Sequence, residues 1–175
     1  MSAAPHPPIT AALLIIGDEI LSGRTRDKNI GTIADFCDSM GIELREVRIV
    51  SDEMAAIIAA VNALRVENTY VFTTGGIGPT HDDITADAVA RAFGVELPIN
   101  EVARKILEGR YGTVDVSPER LRMARIPVGA VLINNSVSGA PGFILGNVHV
   151  MAGVPTIMEA MLEDLATRLK GGAKV

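Results

Sequence analysis

The chain has 175 residues, of which 48% are hydrophobic and 3% aromatic, and its formal net charge is −5. This composition indicates one well-cored globular domain and excludes a disordered chain. The negative charge and scarce aromatic residues argue against nucleic-acid binding, and a single cysteine, Cys37, excludes a disulfide framework and a cysteine-rich zinc site. The sequence shows neither a signal peptide nor an apolar run of about 18 residues. We therefore expect a cytoplasmic protein with no membrane and no nucleic-acid partner.

The first half of the chain alternates predicted strands and helices, after a tail at residues 1–10 that we expect to be flexible. Apolar residues predict strands at 11–16, 42–50 and 69–73, the second with an irregularity near Arg45–Glu46. Helical spacing predicts three helices. The first spans 27–40, the second begins at a Ser51–Asp52 N-cap and reaches Leu64, and the third spans 84–93. This alternation predicts an α/β fold with a mainly parallel sheet.

The second half begins with a short strand or extended link at 95–99. Asn100 is predicted to cap a helix that reaches Tyr111, and Ser117-Pro118 to start another that reaches Ala124. A strand at 129–133 precedes a hairpin whose strands, 142–145 and 148–151, flank Gly146-Asn147. Pro155 opens the last predicted helix.

Polar turns follow three of the predicted strands. They are Gly17-Asp18-Glu19, Ser51-Asp52 and the glycine turn within YVFTTGGIGPTHDDIT (70–85). Because ligands of parallel sheets bind at the carboxyl ends of the strands, we expect the three turns to meet on one rim.

The glycine turn contains Gly75, Gly76 and Gly78 directly after a strand. It lacks the Gly-Lys-Ser/Thr of a P-loop, and His81 stands at the third glycine position of a dinucleotide fingerprint. Two interpretations stay open: a tight turn that needs glycine, or backbone N–H groups that bind phosphate.

Asp82 and Asp83 follow this turn and precede a predicted helix. Either residue could cap that helix, and the pair could also bind a divalent cation such as Mg²⁺. Asp18, Glu19 and Asp52 on the same rim favour a cation site, because grouped carboxylates repel one another. For Arg24, Arg26 and Lys28 we slightly favour a solvated helix start over phosphate contacts.

The ordered motifs LLIIGDEILSG, Asp27-x-Asn29, TTGGIGPTHDDIT, SGAPGF and AGVP resemble the molybdopterin-binding MoaB/Mog-type domain family. The resemblance covers about residues 11–170 and is strongest to the N-terminal domain of the competence/damage-inducible protein A (CinA) family. It implies a three-layer α/β/α sandwich with a mainly parallel mixed sheet. It also implies Mg²⁺, a phosphate-bearing pterin (molybdopterin) or nucleotide as ligand, and a homo-oligomer, either dimer or trimer.

The resemblance also implies roles for individual residues. Asp83 and Asp52 match site acids and are the predicted catalytic residues, while Asp82 and Asp83 are the predicted metal ligands. The remaining predicted site residues bind the ligand: Thr74, Gly75, Gly76 and Gly78 at the phosphate, and Ser138, Gly139 and Pro141 at the far side of the pocket.

Three functions remain open from the sequence. The leading hypothesis is a Mg²⁺-dependent pyrophosphatase acting on ADP-ribose-like substrates, and the second is a non-catalytic pterin- or nucleotide-binding module. Molybdopterin adenylyltransferase ranks last, since Ile77 and Asp82 depart from that branch. CinA-type proteins often carry a further amidase domain, so we interpret residues 171–175 as a tail or the start of a missing small domain.

Overall fold

The structure is a computed structural model that describes residues 4–112 and 116–173. Its strands are β1 (Thr10–Ile16), β2 (Glu43–Val50), β3 (Tyr70–Thr74), β4 (Val131–Ile133), β5 (Gly142–Leu145) and β6 (Val148–Met151). Its α-helices are α1 (Asp18–Leu21), α2 (Asn29–Ser39), α3 (Met54–Glu67), α4 (Thr85–Phe93), α5 (Glu101–Tyr111), α6 (Pro118–Leu121) and α7 (Pro155–Ala166). None of the helices in these ranges is long and apolar enough to cross a membrane.

The six strands form one sheet in the order β2-β1-β3-β6-β5-β4. Neighbouring pairs among β2, β1, β3 and β6 are parallel, whereas β5 runs antiparallel to both β6 and β4. The predicted mainly parallel mixed sheet is confirmed. The carboxyl ends of β1, β2, β3 and β6 therefore share one edge, where ligands of such sheets bind.

Alternate residues of β1 face two separate apolar cores. Leu14 and Ile16 pack with buried residues of α3, α4 and α5, whereas Leu13 and Ile15 pack with α2 and α7. Because successive side chains of a strand point to opposite faces, a strand buried on both sides is continuously apolar. The sheet thus lies between two helical layers, as the resemblance implies.

Several local predictions are confirmed in detail. The register between β1 and β2 passes from Leu44 directly to Glu46, which places a bulge at Arg45. The Asn100 side chain accepts a hydrogen bond from the Ala103 N–H (2.9 Å), and Ser117 does the same for the Arg120 N–H (3.2 Å). Polar side chains that satisfy the first N–H groups of a helix fix where it begins.

Other predictions need correction. The predicted Ser51–Asp52 cap is wrong: α3 follows Glu53 without a side-chain cap, because the Asp52 carboxylate bonds to Asp18 instead. The short helix α1 begins within the predicted Gly17–Glu19 turn. For residues 95–99 the extended-link alternative is confirmed, with a single bridge from Ile99 to Arg125. The division into 1–10, 11–170 and 171–175 stays a prediction, with β1 beginning at Thr10.

The only cysteine in the sequence is a core residue. Cys37 is 1% exposed and packs in the α2–α7 layer. Burial raises the pKa of its thiol to about 11, because the charged thiolate loses its hydration. The folded protein therefore presents no reactive thiolate at Cys37 near neutral pH.

His149 should make the fold sensitive to acid. It is 3% exposed on β6, and burial lowers the pKa of its imidazole, opposed by hydrogen bonds to the Val71 and Asn147 carbonyls. The stability that depends on neutral His149 is complete above pH 6.5 and is lost as pH falls through the lowered pKa. Urea unfolding between pH 7 and 5 should show a smaller pH dependence in His149→Gln than in the unchanged chain. An equal dependence would contradict this assignment.

Candidate functional site

A pocket of about 640 Å³ lies at the carboxyl edge of the sheet. This volume is within the usual range for small-molecule sites, about 300–1,000 Å³. Among the predicted site residues, those that line the pocket are Thr74, Gly75, Gly76, Gly78, Asp83 and Ser138. Those that do not are Asp52, Asp82, Gly139 and Pro141. The expected meeting of three strand-end turns on one rim is confirmed, and the roles of the individual residues stay predictions.

Gly75, the first residue of the glycine turn, is held by two hydrogen bonds. The Gly75 N–H donates to the Met151 carbonyl (3.1 Å), and the Thr85 hydroxyl donates to the Gly75 carbonyl (2.9 Å). Gly75 and Gly76 adopt φ values of +96° and +71°. A Cβ atom on Gly75 would collide with the Ile16 carbonyl oxygen. A Cβ on Gly76 would collide with the hydroxyl of buried Thr85, so both glycines are required by conformation and by space.

Three successive backbone N–H groups on this turn are available to a ligand. Gly76, Ile77 and Gly78 line the pocket, and their N–H groups donate to no residue in the described parts of the chain. Consecutive unpaired N–H groups form an anion-binding concavity. The geometry therefore suits the phosphate-binding interpretation and the tight-turn interpretation together.

The two neighbouring aspartates have different environments. Asp83 lines the pocket, and its Oδ2 accepts hydrogen bonds from the Thr80 N–H (3.0 Å) and hydroxyl (2.9 Å). The Asp82 side chain is 81% exposed and lies 3.3 Å from His81 Nε2. The cap alternative is wrong for both, because α4 follows Ile84 without a side-chain cap.

Asp52 and Asp18 join the ends of β2 and β1. Each carboxylate accepts a hydrogen bond from the other residue's backbone N–H, both at 3.0 Å. Burial raises the pKa of the Asp52 carboxyl, and the negative charges of Asp18, Glu19 and Asp83 add to this effect. Glu19 itself lines the pocket. The rim therefore carries an acidic cluster, and its environment disfavours the ionised form of Asp52.

Replacing Asp52 by a neutral side chain should remove this unfavourable electrostatic energy. Because the pKa of Asp52 is raised in the folded state, protonated Asp52 increases the free energy of unfolding at low pH. This contribution is lost as the pH rises above the ordinary pKa of 3.8. Asp52→Asn keeps an acceptor for the Asp18 N–H, so we expect it to stabilise the fold at pH 7 by less than about 1 kcal/mol. Urea unfolding at pH 7 and at pH 4 should show the difference shrinking in acid. A destabilised variant at pH 7 would contradict this expectation.

The second wall of the pocket comes from the α2 side. Asp27 Oδ2 accepts bonds from the N–H groups of Asn29 (3.1 Å) and Ile30 (2.8 Å), which starts α2, and Asn29 Nδ2 donates to the Gly153 carbonyl (2.9 Å). Arg26 and Lys28 line the pocket here and are both exposed, so the solvated helix start and the phosphate contacts both stay predictions.

Gly153 brings the start of α7 against the glycine turn. A Cβ on Gly153 would lie 3.2 Å from the Gly75 Cα, and residues 152–155 line the pocket. The sequence predicts only that Pro155 opens the last helix. The position of this segment at the pocket shows that it is part of the wall.

A third wall was not predicted from the sequence. Tyr111, at the end of α5, and Arg120 and Met123, after it in the chain, all line the pocket. The Arg120 guanidinium lies over the Tyr111 ring, 4.3 Å from its centroid. The one sequence signal for this wall is the Ser117-Pro118 helix start. It predicts where a helix begins but gives no information on contacts with a ligand.

The far side of the pocket is organised by Asn135, which is 7% exposed. Its Oδ1 accepts bonds from the N–H groups of Val137 and Ser138, and its Nδ2 donates to the Ala140 carbonyl. Ser138 and Ala140 line the pocket, whereas Pro141 lines a small adjoining cavity. Two members of the predicted Ser138–Pro141 turn, Ser138 and Ala140, thus lie on the main pocket.

A family model described as a probable molybdopterin binding domain matches residues 12–171. A protein of Sulfurisphaera tokodaii is 36% identical over 161 residues, which cover 88% of this chain and 61% of that protein. A Thermoplasma acidophilum protein is 36% identical over 159 residues, covering 89% and 62%. The chain therefore spans about three fifths of the length of these curated relatives.

Solved structures agree with this assignment. CinA from Thermoplasma acidophilum, a protein described as having unknown function, matches with a TM-score of 0.84 and 34% identity, covering 91% of this chain and 98% of that chain. MoaB from Pyrococcus furiosus, described as a tungsten cofactor synthesizing protein, matches with a TM-score of 0.61 and 23% identity over 94% of both chains, which shows a shared fold. The chain belongs to the probable molybdopterin-binding domain family and is similar to CinA.

Proposed function

We propose that the pocket binds a pterin or nucleotide through its phosphates, which contact the glycine turn. The observation that carries this proposal is the run of three N–H groups at Gly76, Ile77 and Gly78, which line the pocket and donate to no described residue. Arg26 and Lys28 on the second wall add positive charge close to the same volume. The family assignment to molybdopterin binding supports a pterin as one such ligand.

We propose Mg²⁺ as the cofactor, which the rim carboxylates would hold when the phosphate-bearing ligand is bound. Among residues 4–112 and 116–173, no three His, Cys, Asp or Glu side chains form a ready metal cage. This fits Mg²⁺, which is usually bound by one or two carboxylates together with substrate phosphates. Asp83 and Glu19 line the pocket and would hold it, and Asp82 stays a predicted ligand. Bound Mg²⁺ would neutralise negative charge on the phosphates.

The proposed reaction is hydrolysis of an ADP-ribose-like diphosphate. Water attacks one phosphorus, the bridging P–O bond breaks, and AMP and ribose 5-phosphate leave. Asp83 orients the water and accepts its proton, while the turn N–H groups stabilise the charge that develops on the phosphate. Asp52, predicted as catalytic, would act by positioning, since it binds the Asp18 N–H next to Glu19.

The test is incubation of the chain with ADP-ribose, with Mg²⁺ or with EDTA. Anion-exchange chromatography should show AMP and ribose 5-phosphate in equal amounts, and only with Mg²⁺. Absence of both products under all conditions would overturn the hydrolysis. Release of pyrophosphate from ATP with molybdopterin would assign adenylyl transfer instead.

A non-catalytic binding module is the second candidate. The observation that favours it is that Asp83 Oδ2 already accepts two hydrogen bonds from Thr80, a structural task that closes the loop. In that case ADP-ribose or AMP would raise the melting temperature without any product. A cytoplasmic location and a homo-oligomeric state remain part of the proposal for either candidate, and size-exclusion chromatography with light scattering tests the second.

A further inference from the structure

The third wall, formed by Tyr111, Arg120 and Met123, has no part in the phosphate and metal contacts described above. Its three side chains belong to the helical layer that contains α5, whereas Arg26, Lys28 and Asn29 reach the pocket from the α2 side. The glycine turn lies at the sheet edge between the two layers. A ligand whose phosphates occupy that turn would therefore extend toward one wall or the other.

The third wall is held in place by local bonds. Ser117 caps α6 through the Arg120 N–H, and Pro118 at the first helical position fixes the backbone. Two residues later, Arg122 Nε donates to the Thr80 carbonyl (3.3 Å), and Thr80 is the residue bonded by Asp83. The third wall and the glycine-turn loop are thus connected, which fixes one relative to the other.

The chemistry of this wall suits a flat ring better than a phosphate. The Cζ atom of Arg120 lies over the Tyr111 ring, 4.3 Å from its centroid, and Met123 and Ile77 add apolar, polarisable surface. Nitrogen heterocycles stack on tyrosine rings and on arginine planes. Phosphate donors, by contrast, are supplied at the glycine turn.

We propose that Tyr111, Arg120 and Met123 form a stacking site for the planar nitrogen heterocycle of the ligand, either adenine or a pterin. The proposal rests on the proposed function in one respect, that a phosphate group occupies the glycine turn. It fixes the ligand's direction: heterocycle toward the α5 side, phosphates on the turn, and the remaining part of the molecule toward Arg26 and Lys28.

Tyrosine fluorescence gives a direct readout, since the chain contains two tyrosines and no tryptophan. Tyr70→Phe leaves Tyr111 as the sole tyrosine. In that variant, AMP or neopterin monophosphate should quench the emission, and ribose 5-phosphate, which lacks a heterocycle, should not. Calorimetric titration with the same three compounds identifies which heterocycle binds more tightly. No quenching by either AMP or neopterin monophosphate would overturn the proposal.

Two variants separate stacking from charge. Arg120→Lys keeps the positive charge and loses the plane, and Tyr111→Leu removes the ring. Each should weaken binding of the preferred heterocyclic phosphate by about tenfold and leave ribose 5-phosphate unchanged. Arg104→Lys is the matched control, because Arg104 pairs with Glu101 and Glu108 on the same helix and does not line the pocket. Melting curves confirm that each variant is folded.

The outcomes also separate this proposal from the proposed reaction. Quenching and a selective effect of Arg120→Lys, without ADP-ribose hydrolysis, would support the stacking site and overturn only the reaction. Equal weakening of AMP and ribose 5-phosphate by Arg120→Lys would make Arg120 a phosphate-binding residue and overturn the stacking site. Unchanged binding of all three compounds in both variants would overturn it as well.

Discussion

Gly75→Ala is expected to lower the free energy of unfolding by about 3 kcal/mol or more and to abolish phosphate binding at the turn. A side chain at φ +96° is strained, which costs about 1–2 kcal/mol. The added Cβ would also collide with the Ile16 carbonyl oxygen, a backbone atom that cannot move without distorting β1. Urea unfolding followed by circular dichroism measures the loss.

Gly23→Ala is the matched control for strain alone. Gly23 adopts φ +78°, and a Cβ there would have no atom within 4 Å. Its expected cost is the conformational part, about 1–2 kcal/mol, and it should not change ligand binding because Gly23 does not line the pocket. If both variants lost the same stability, the close approach of Gly75 to β1 would have no energetic importance.

Asp83→Asn is expected to lower Mg²⁺-dependent turnover of ADP-ribose by about 100-fold or more. Asparagine keeps an oxygen that can accept the two Thr80 hydrogen bonds, so the loop should remain closed while the negative charge is lost. Initial rates at several Mg²⁺ concentrations, with melting curves as a check on folding, measure the effect. Unchanged turnover and unchanged Mg²⁺ dependence would remove Asp83 from the proposed site.

Asp82→Asn is the comparison that decides between the two neighbours. Its side chain is largely exposed and lies outside the pocket lining, so we expect less than about a threefold change, typical of a distant surface charge. A loss as large as that of Asp83→Asn would instead make Asp82 the metal ligand that the sequence predicts. Either result assigns the acids of the loop individually.

The fold was predictable because its signals are local. β1 reads as a continuous apolar run, Asn100 and Ser117 bond within one helical turn, and the Arg45 irregularity interrupts an alternating strand. Each of these features depends on neighbours in the sequence. The Ser51–Asp52 cap failed because its competitor, the Asp18 N–H, lies 34 residues away in the chain.

The site was predictable in part for the same reason. The glycine turn and Asp83 are adjacent in the sequence, so one motif gives both. Arg26 and Lys28 lie just before α2, whereas the third wall lies beside α5, and only the packing of these opposite layers brings them together. No spacing within the chain shows which charged residues face a common cavity.

The close approach of Gly153 to Gly75 limits how the pocket can change. Any side chain at Gly153 would contact the glycine turn closely, and the Gly153 carbonyl already accepts a hydrogen bond from Asn29. The cavity therefore cannot be made narrower at Gly153 without displacing the turn. Adaptation to a larger or smaller ligand, whether by evolution or by protein engineering, is easier at lining side chains such as Tyr111 and Met123 on the opposite wall.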